Sequence, residues 1–438
     1  MILIRDPLWD TITLDDTAVS IVDSTAFQRL RYIRQLGLAH LGYPGATHTR
    51  FDHAIGVYHL AQKAMRLLHA RGALRNVGER ECRIVAYAAL LHDIGHYPFS
   101  HALEELEQDR IPGHHEALVG RFLGDPDVRA ALVSISDDGP AAVEALVRGT
   151  SSNPLQGLVA GSLDLDKIEY LKRDARFCGV PYGDVDVERL LNALALVRDP
   201  ATGRLEIGVQ EKGVAVLESL LFAKYQMFRN VYWHHAVRAA TVMYKRIVRD
   251  AMQTELLSSE ELIGQTDEGL LYLLQSRAAE AHAQIDALRR RRLPKRAAEI
   301  VAADLGGEHD FADWIGSDGE TKQLVEDAIA QELGVPLGSV FIDYPEKKAM
   351  FGLNLLVQRR NGEVLRLGPE GQAGLIGLPR IADELYRTAR VLRVFVAGQR
   401  VRLKKEAVIQ LALSSEEEVL DKVRAGKSLV AGATEALS

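Results

Sequence analysis

The chain has 438 residues, of which 47% are hydrophobic and 26% are charged, so it can bury a sizeable core and is not intrinsically disordered over most of its length. Its formal net charge of −7 argues against a globally basic nucleic-acid binder, although a local basic groove is compatible with it. The two cysteines, Cys82 and Cys178, exclude a disulfide framework and indicate a reducing compartment. No apolar run approaches the ~20 residues of a membrane span, and the opening MILIRDPLWD lacks the layout of a signal peptide. We therefore expect a soluble cytoplasmic protein with no membrane partner.

Roughly the first 250 residues carry mainly helical patterns. Apolar residues recur at helical spacing in two segments, Leu60, Ala64, Leu67 and Leu68, and then Ile84, Ala88 and Leu91. Gly95 and Pro98 predict the end of the second helix. Residues 194–209 predict a short hairpin instead, because two apolar runs flank the turn Asp199-Pro200-Ala201-Thr202-Gly203. From Val214 to about Leu257 the pattern is helical again.

The pattern changes near residue 297. Strand-like composition follows at 339–345, 353–360 and 391–398, and Asn361-Gly362 is the strongest hairpin signal of the chain. We therefore predict a mainly α protein in three parts. These are a helical core with its helical extension at 1–296, a smaller α+β C-terminal lobe at 297–405 and a helical tail at 406–438.

Histidine is concentrated in one quarter of the chain, since ten of the 14 histidines lie between His40 and His115. The sharpest motif is Leu91-His92-Asp93-Ile94-Gly95-His96, at the end of an apolar helix. His92 and Asp93 offer one nitrogen and one oxygen ligand, a set suited to Mn, Fe, Zn or Ni. Side chains of neighbouring residues on a helix point about 100° apart, so His92 and Asp93 can bind one ion only if the helix ends beside them. Gly95 predicts that the helix ends at this point. Taken alone, the pair favours a capped helix end with solvated side chains over a metal site.

Two further segments favour a metal site. His53 precedes an amphipathic helix, and Asp166 lies well downstream of His92. Together His53, His92, Asp93 and Asp166 form a set of two nitrogens and two oxygens from three segments. Four protein ligands on an ion that accepts six leave positions for water and substrate, which is typical of a catalytic site.

Four motifs in this order, HTRFDHAIGV, ALLHDIGHYPFSH, HHEA and DLDKIEYLKRD, resemble those of the HD-domain phosphohydrolases. Within them, the chain resembles the deoxynucleoside triphosphate triphosphohydrolases, which include the bacterial dGTP triphosphohydrolases and the vertebrate SAM- and HD-domain enzyme. The resemblance covers residues 4–240 and includes VDSTAFQRLRYIRQLG at 22–37. It implies an HD-domain helical core and the metal-dependent hydrolysis of a dNTP to a deoxynucleoside and inorganic triphosphate. It also implies a homo-oligomer, a dimer or tetramer.

The resemblance assigns roles to single residues. It gives His53, His92, Asp93 and Asp166 as ligands of a divalent ion, with Mg added to the candidate metals. It gives His96 and His115 as acid–base histidines, with Glu104 as an acidic partner. Eight residues match positions that hold the triphosphate and the sugar: Gln35, Leu36, Arg50, Lys167, Tyr170, Asp174, Lys224 and Tyr232.

Some of these positions carry alternatives or departures from the family. Tyr232 matches the tyrosine that packs on the deoxyribose and disfavours a 2′-hydroxyl. For Asp174 the alternative is an ion pair with Arg173 or Arg176. Lys224 replaces an arginine of the vertebrate enzyme, so the charge is kept and the bidentate fork is lost. His235 replaces a lysine of its regulatory interface.

A regulatory site is also implied by the resemblance. Asp23, Gln28 and Arg31 match residues that read an effector guanine, so GTP or a dNTP is the expected effector. The matching lysine and asparagine that contact the effector's phosphates and sugar are replaced by Ile2 and Arg5. The basic run at 289–296 is either a solvated helix end or a phosphate-binding patch for an effector or a single-stranded nucleic acid.

Other functions stay open at this point. Another HD nucleotide phosphohydrolase would act on ribonucleotides, monophosphates or alarmones. The HD-GYP phosphodiesterases fit less well, because their His-Asp segment continues to a lysine where this chain has His96. A nucleotide-sensing protein with a vestigial site is disfavoured by the four intact ligand residues, and a nuclease by the negative charge.

Overall fold

The fold is mainly α-helical, as the sequence predicts, with small sheets and an α+β C-terminal part. The structure is a computed structural model. It describes residues 1–106, 110–277, 279–301, 304, 311–316, 319–345, 353–368, 387–430 and 435–436. The helices are α1 (Asp16–Val22), α2 (Thr25–Gln28), α3 (Arg50–Ala70), α4 (Glu79–Leu91), α5 (Ser100–Leu103), α6 (His115–Phe122), α7 (Pro126–Val133), α8 (Gly139–Val147), α9 (Leu165–Cys178), α10 (Val187–Leu191), α11 (Val214–Met227), α12 (His235–Gln253), α13 (Asp267–Arg277), α14 (Ala279–Arg289), α15 (Asp313–Gly316), α16 (Glu320–Leu333), α17 (Lys405–Leu413) and α18 (Glu416–Arg424). The strands are β1 (Ile2–Asp6), β2 (Asp10–Leu14), β3 (Leu194–Arg198), β4 (Leu205–Gln210), β5 (Lys295–Val301), β6 (Val340–Asp343), β7 (Leu355–Gln358), β8 (Val364–Leu367), β9 (Val391–Val396), β10 (Val401–Arg402) and β11 (Glu435–Ala436). Within these ranges, every helix is too short or too polar to cross a membrane.

Local capping sets where the site-bearing helices begin and end. Thr49 and Asp52 form a capping box that starts α3, and the Asp164 side chain accepts from the amide of Lys167 at the start of α9. Gly179, with φ of 70°, ends α9 in the left-handed conformation that glycine adopts without strain. Both helices are therefore fixed at their first turns, close to the ligand candidates that they carry.

The first hydrophobic cluster holds α3, α4 and α9 together. Their apolar faces meet through buried residues such as Tyr58, Leu60, Leu90 and Leu171. The predicted helices at 60–68 and 84–91 are confirmed as parts of α3 and α4. Helix α4 ends at Leu91, so His92 is its C-cap residue and Asp93 follows it.

A second cluster packs the segment after α4 against α12, α13 and α14. It contains Tyr97, Phe99 and Leu103 together with Tyr244 of α12, and it reaches Phe395 of β9 in the C-terminal part. Between α11 and α12 the chain forms one π-helical stretch, Phe228–Tyr232. The segment from 92 to 106 thus leaves the core of α3 and α4 and joins that of α12.

The two predicted hairpins share one sheet of order β3-β4-β7-β8, in which β4 and β7 run parallel. The turn at Asn361-Gly362 is confirmed, with Gly362 at φ of 88°. The sequence predicts this hairpin in the C-terminal lobe, but it packs on the helical core instead. The reason is burial, because Leu355, Val357 and Leu367 belong to the first hydrophobic cluster.

The C-terminal part forms a second sheet, β5-β9-β6, with every neighbouring pair antiparallel. A third cluster covers this sheet with α15, α16 and the two tail helices α17 and α18, through residues such as Trp314, Ile329, Leu411 and Val419. The tail therefore packs on the sheet. The division of the chain at residues 296 and 405 stays a prediction.

Candidate active site

Three helices bring the metal-ligand candidates into one buried cluster. The Nε2 atom of His53, in the first turn of α3, lies 3.1 Å from Nε2 of His92 and 2.9 Å from Oδ1 of Asp166. Asp93 completes the group, with Oδ1 3.4 Å from the same nitrogen of His92 and Oδ2 3.8 Å from that of His53. The four side chains offer two nitrogens and two oxygens, a donor set that fits a divalent transition metal.

The electrostatics of this cluster favour a cation between the side chains. Burial would lower the pKa of His53, but hydrogen bonds to Asp166 and Glu169 outweigh it and raise that pKa to about 10. Burial would also raise the pKa of Asp93, but the charge of Arg50, followed by those of His92 and His96, holds it well below its usual range. The carboxylates therefore stay ionised, which is the form that ligates a metal.

A layer of polar residues behind His53 fixes its ring. Glu169 accepts from Nδ1 of His53 at 2.6 Å, which leaves Nε2 to face the cluster. The same carboxylate accepts from the indole of Trp9 at 2.9 Å and from Nε of Arg173 at 2.7 Å. Burial opposes ionisation of Glu169, but the charge of Arg173 and the bond from His53 bring its pKa down to about 2. These three supporting residues were missed by sequence reasoning, although Glu169 and Arg173 lie in the recognised DLDKIEYLKRD motif.

The acid–base candidates adjoin the metal-ligand cluster. Nε2 of His96 lies 3.0 Å from Oδ1 of Asp93, and its ring stacks on that of His115 with centroids 3.6 Å apart. Burial, with the charges of Arg50 and His115, holds the pKa of His96 well below its usual range. Its surroundings therefore favour the neutral form of His96. A second set of possible metal donors, Asp93, His96 and His115, lies as close together as His53, His92 and Asp166 do.

Glu104 holds two histidines at once. Its Oε1 lies 3.1 Å from Nδ1 of His115 and its Oε2 3.1 Å from Nδ1 of His101. Burial opposes ionisation of Glu104, but these two hydrogen bonds hold its pKa well below its usual range. His101 is half-exposed beside this pair and was missed by sequence reasoning. The sequence feature that could have identified His101 is its position three residues before Glu104, since residues at this spacing face each other on a helical turn.

Asp174 and Tyr232 lie together among the substrate candidates. The Tyr232 hydroxyl donates to Oδ2 of Asp174 at 2.7 Å, and Nε2 of His48 lies 2.8 Å from Oδ1. The alternative ion pair with Arg173 is wrong, because Arg173 instead pairs with Glu169 and with Asp6. Burial and the charge of Asp174 raise the pKa of Tyr232 well above its usual range, so the phenol stays protonated.

The cationic candidates are held by nearby groups. Arg50 donates to Asp93 at 2.7 Å, and Lys167 pairs with Asp164 and donates to the carbonyl of Gly161 at 2.9 Å. The Lys224 ammonium lies 6.0 Å from the centroid of the Phe228 ring. A phosphate that binds Arg50 or Lys167 would therefore share that cation with a carboxylate.

The remaining substrate candidates differ in their surroundings. The side-chain oxygen of Gln35 is buried and has no hydrogen-bond partner among the described residues, and Leu36 packs against the first hydrophobic cluster. Burial, together with the charges of Asp166 and Asp164, raises the pKa of Tyr170 well above its usual range. An unsatisfied acceptor such as that of Gln35 is a position where a ligand hydroxyl or amide can donate.

Two of the three effector candidates touch each other. Arg31 donates to the side-chain oxygen of Gln28 at 2.8 Å and lies over the Phe51 ring at 3.4 Å, while Gln28 donates to the carbonyl of Val22. Asp23 is exposed just after α1. Near the N-terminus, Arg5 donates to Thr11, and Ile2 is exposed.

The basic run at 289–296 divides into two parts. Arg289 pairs with Glu268, and Arg290 and Arg292 pair with Asp286, so acidic neighbours offset these three charges. The other basic residues of the run line a cavity of about 300 Å³, together with His235 at the start of α12 and several apolar residues, and one of them, Arg296, also pairs with Glu299. Its basic lining residues are Arg291, Lys295, Arg296 and Arg400.

Comparisons with known proteins find two HD-family regions in this chain and relatives over most of its length. The HD domain model matches residues 50–138, and the HD associated region model matches residues 185–377. The uncharacterized protein MJ1154 of Methanocaldococcus jannaschii is 34% identical over 352 residues, which cover 80% of this chain and 70% of that protein. The deoxynucleoside triphosphate triphosphohydrolase SAMHD1 homolog of Dictyostelium discoideum is 28% identical over 320 residues, which cover 69% of this chain and 61% of that protein. The crystal structure of a hypothetical protein from Aquifex aeolicus matches with a TM-score of 0.69 and 26% identity, over 94% of this chain and 98% of that one.

Proposed function

We propose a function for this chain on the premise that it belongs to the HD-domain family, whose fold is that of metal-dependent phosphohydrolases. It hydrolyses a dNTP to a deoxynucleoside and inorganic triphosphate. The observation that carries the proposal is the contact of two groups. A four-residue donor set, His53, His92, Asp93 and Asp166, adjoins the stacked rings of His96 and His115 through Asp93.

The donor set is assigned to a divalent ion and the stacked rings to proton transfer. When bound, the ion would lower the pKa of a water near the α-phosphate enough to make it a nucleophile at neutral pH. The 5′-oxygen of the sugar leaves poorly unless it is protonated, and His115, oriented by Glu104, is assigned as the donor of that proton. His96 is assigned as the second acid–base histidine, and its 3.0 Å contact also keeps Asp93 in place.

The surrounding polar residues are assigned to the substrate. Arg50, Lys167 and Lys224 offset triphosphate charge, and the buried oxygen of Gln35 accepts from the sugar. Asp174, held between His48 and Tyr232, accepts from the 3′-hydroxyl, while the Tyr232 ring excludes a 2′-hydroxyl. Leu36 and Tyr170 supply the remaining contacts of the sugar pocket.

The test is a panel of the eight common NTPs and dNTPs with Mg and with Mn, with products separated by ion-pair chromatography. Triphosphate and deoxynucleoside as the only products, with dNTPs preferred over NTPs, support the proposal. Pyrophosphate or orthophosphate would point to another HD nucleotide phosphohydrolase. Binding of a nucleotide without any turnover, in a metal-loaded protein, would point to a nucleotide-sensing protein.

Regulation by a nucleotide is the second part of the proposal. Asp23, Gln28 and Arg31 are assigned to an effector guanine, and the contact between Gln28 and Arg31 supports that assignment. The basic cavity beside His235 is suited to the effector's phosphates, and it would take over the role of the family's lysine and asparagine, for which this chain has Ile2 and Arg5. GTP or a dNTP then activates a homo-oligomer, a dimer or tetramer. Hydrolysis of one dNTP with and without GTP or dGTP, alongside light scattering, tests this, and indifference of both activity and mass would contradict it.

A further inference from the structure

The two halves of the candidate site belong to different hydrophobic clusters. The metal-ligand residues lie among α3, α4 and α9, whereas the segment that carries His96, His101 and Glu104 packs on α12. Phe99, which enters α5 at φ of 52°, places its ring 4.6 Å from that of Tyr244. The geometry of the acid–base half therefore depends on how α5 is held on α12.

One buried arginine of α12 binds the end of this segment directly. Arg238 donates through its two terminal nitrogens to the two oxygens of Glu105, both at 2.8 Å. Glu105 is the residue after Glu104, and Lys245 also donates to it at 2.9 Å. A bidentate guanidinium–carboxylate pair fixes both distance and angle, so it restrains the backbone of its acidic partner.

The other side of Arg238 faces the C-terminal sheet. Its Nε lies 3.1 Å from both oxygens of Asp343 at the end of β6, and a terminal nitrogen donates to Oδ1 at 2.6 Å. Arg238 and Asp343 are 4% and 1% exposed, so neither can exchange its partner for water. A lysine would keep the charge but has no planar fork to hold two carboxylates in fixed directions.

On the basis of the proposed function, we infer that Arg238 is a positioning residue for the acid–base step. It fixes Glu105, and through the backbone it fixes Glu104, which orients His115. Within the described part of the chain, the hydrogen bonds and ion pairs of Arg238 go to Glu105 and Asp343 and not to the four metal-ligand residues. Its effect therefore falls on proton transfer and leaves metal binding intact.

The test compares Arg238→Lys with the metal-loaded parent protein. Arg238→Lys lowers kcat ~10–100-fold with KM and metal content nearly unchanged, the loss typical of a supporting residue. Glu105→Gln, which keeps the side-chain shape, also lowers kcat with KM and metal content nearly unchanged, but by a smaller factor. Arg246→Met is the matched control: Arg246 is a buried, carboxylate-paired arginine of the same helix, but it binds Asp250, Glu326 and Asp327. This control keeps the parent kcat.

A double variant separates positioning from a general structural role. In Arg238→Lys/His115→Ala, the change at Arg238 should add nothing to the loss already caused by His115→Ala, because both act on one proton donor. Full multiplication of the two losses, a rise in KM alone, or an equal loss in Arg246→Met would each overturn the inference. If the single variant His115→Ala keeps full activity, the proposed function is contradicted, whatever the result at Arg238. The failure of the proposed function can therefore be told apart from the failure of the inference about Arg238.

Discussion

The rings of His96 and His115 lie face to face, with centroids 3.6 Å apart and planes 18° from parallel. His96 contacts the metal-ligand candidate Asp93, and His115 contacts Glu104, so this stack joins the two halves of the candidate site. Two imidazolium rings at this distance would repel each other, so the pair carries at most one positive charge. In the proposed mechanism, His115 is the ring that donates the proton to the leaving group, and Glu104 holds that ring in place.

His115→Ala should lower kcat ~10²–10⁴-fold with little change in KM, because protonation of the leaving oxygen matters chiefly in the transition state. Steady-state kinetics on the preferred dNTP measure this. His114→Ala is the control, since His114 is exposed and makes no side-chain capping bond at the start of α6. A large rise in KM at unchanged kcat would make His115 a binding residue.

Asp166→Ala should abolish turnover and metal binding while the fold survives, because it removes one of the four proposed ligands, which come from three separate helices. The double variant His92→Ala/Asp93→Ala should do the same. Metal per chain by mass spectrometry and helical content by circular dichroism are the measurements. Asp184→Ala, an exposed aspartate after α9, should behave like the parent. Near-normal activity and metal content in Asp166→Ala would refute the ligand assignment.

Glu169→Gln should weaken metal binding ~10–100-fold, since it removes the carboxylate that fixes the tautomer of His53. Activity should recover when the metal concentration is raised, which a direct catalytic role would not allow. Glu188→Gln, at an exposed glutamate paired with Lys63, serves as the control. Equal metal affinity in Glu169→Gln and the parent would contradict a supporting role.

The pH dependence of stability can be predicted at Asp267, in the first turn of α13. Burial raises the pKa of this carboxyl from its usual 3.8 to about 6, although the backbone amide and charge of Arg34 oppose that rise. Its Oδ1 is buried without a partner among the described residues. Because the folded state binds the proton more tightly than the unfolded state, Asp267 stabilises the fold below pH ~4, and this contribution is lost as the pH rises through 6.

Asp267→Asn should therefore gain stability relative to the parent across that window, by up to ~3 kcal/mol for a shift of about two units. Urea unfolding of both proteins at pH 4, 5, 6 and 7 gives the difference at each pH. Glu268→Gln, at the exposed next residue, should show no such trend. A difference in unfolding free energy that stays constant with pH would exclude Asp267 as its source.

The sequence predicts site residues that lie in a common motif better than residues that come together only in the folded structure. His53, His92, Asp93 and Asp166 could be grouped because each sits in a short pattern with its own chemistry, and the structure brings them together. Trp9 and Glu169 lie 160 positions apart, and nothing local in either segment reports their hydrogen bond. Long-range pairing of this kind depends on how whole helices pack.

The sequence also did not determine which acidic residue each buried arginine pairs with. Arg173 could bind several nearby acids, and the sequence offered a pair with Asp174 only as an alternative, whereas the folded chain gives Arg173 the partners Glu169 and Asp6. The hairpin at Asn361-Gly362 could be found from its turn residues, but its place on β4 follows from which buried surface accepts its apolar face. Such choices among equally charged or equally apolar partners are made by tertiary packing.

The hydrogen bond from Trp9 to Glu169 gives the chain an intrinsic optical probe. The Trp9 indole donates to Glu169, and Glu169 accepts from Nδ1 of His53, so two hydrogen bonds connect the indole to that imidazole ring. A cation that replaces the proton on Nε2 of His53 therefore changes the electric field at the indole. Of the three tryptophans, Trp233 is buried beside Phe228 and Trp314 lies in the C-terminal part, where it donates to Ser414. Titration with Mn or Mg should thus change the emission of the native protein, and Trp9→Phe should remove most of that response. Metal affinity then becomes measurable in a fluorimeter without label or substrate.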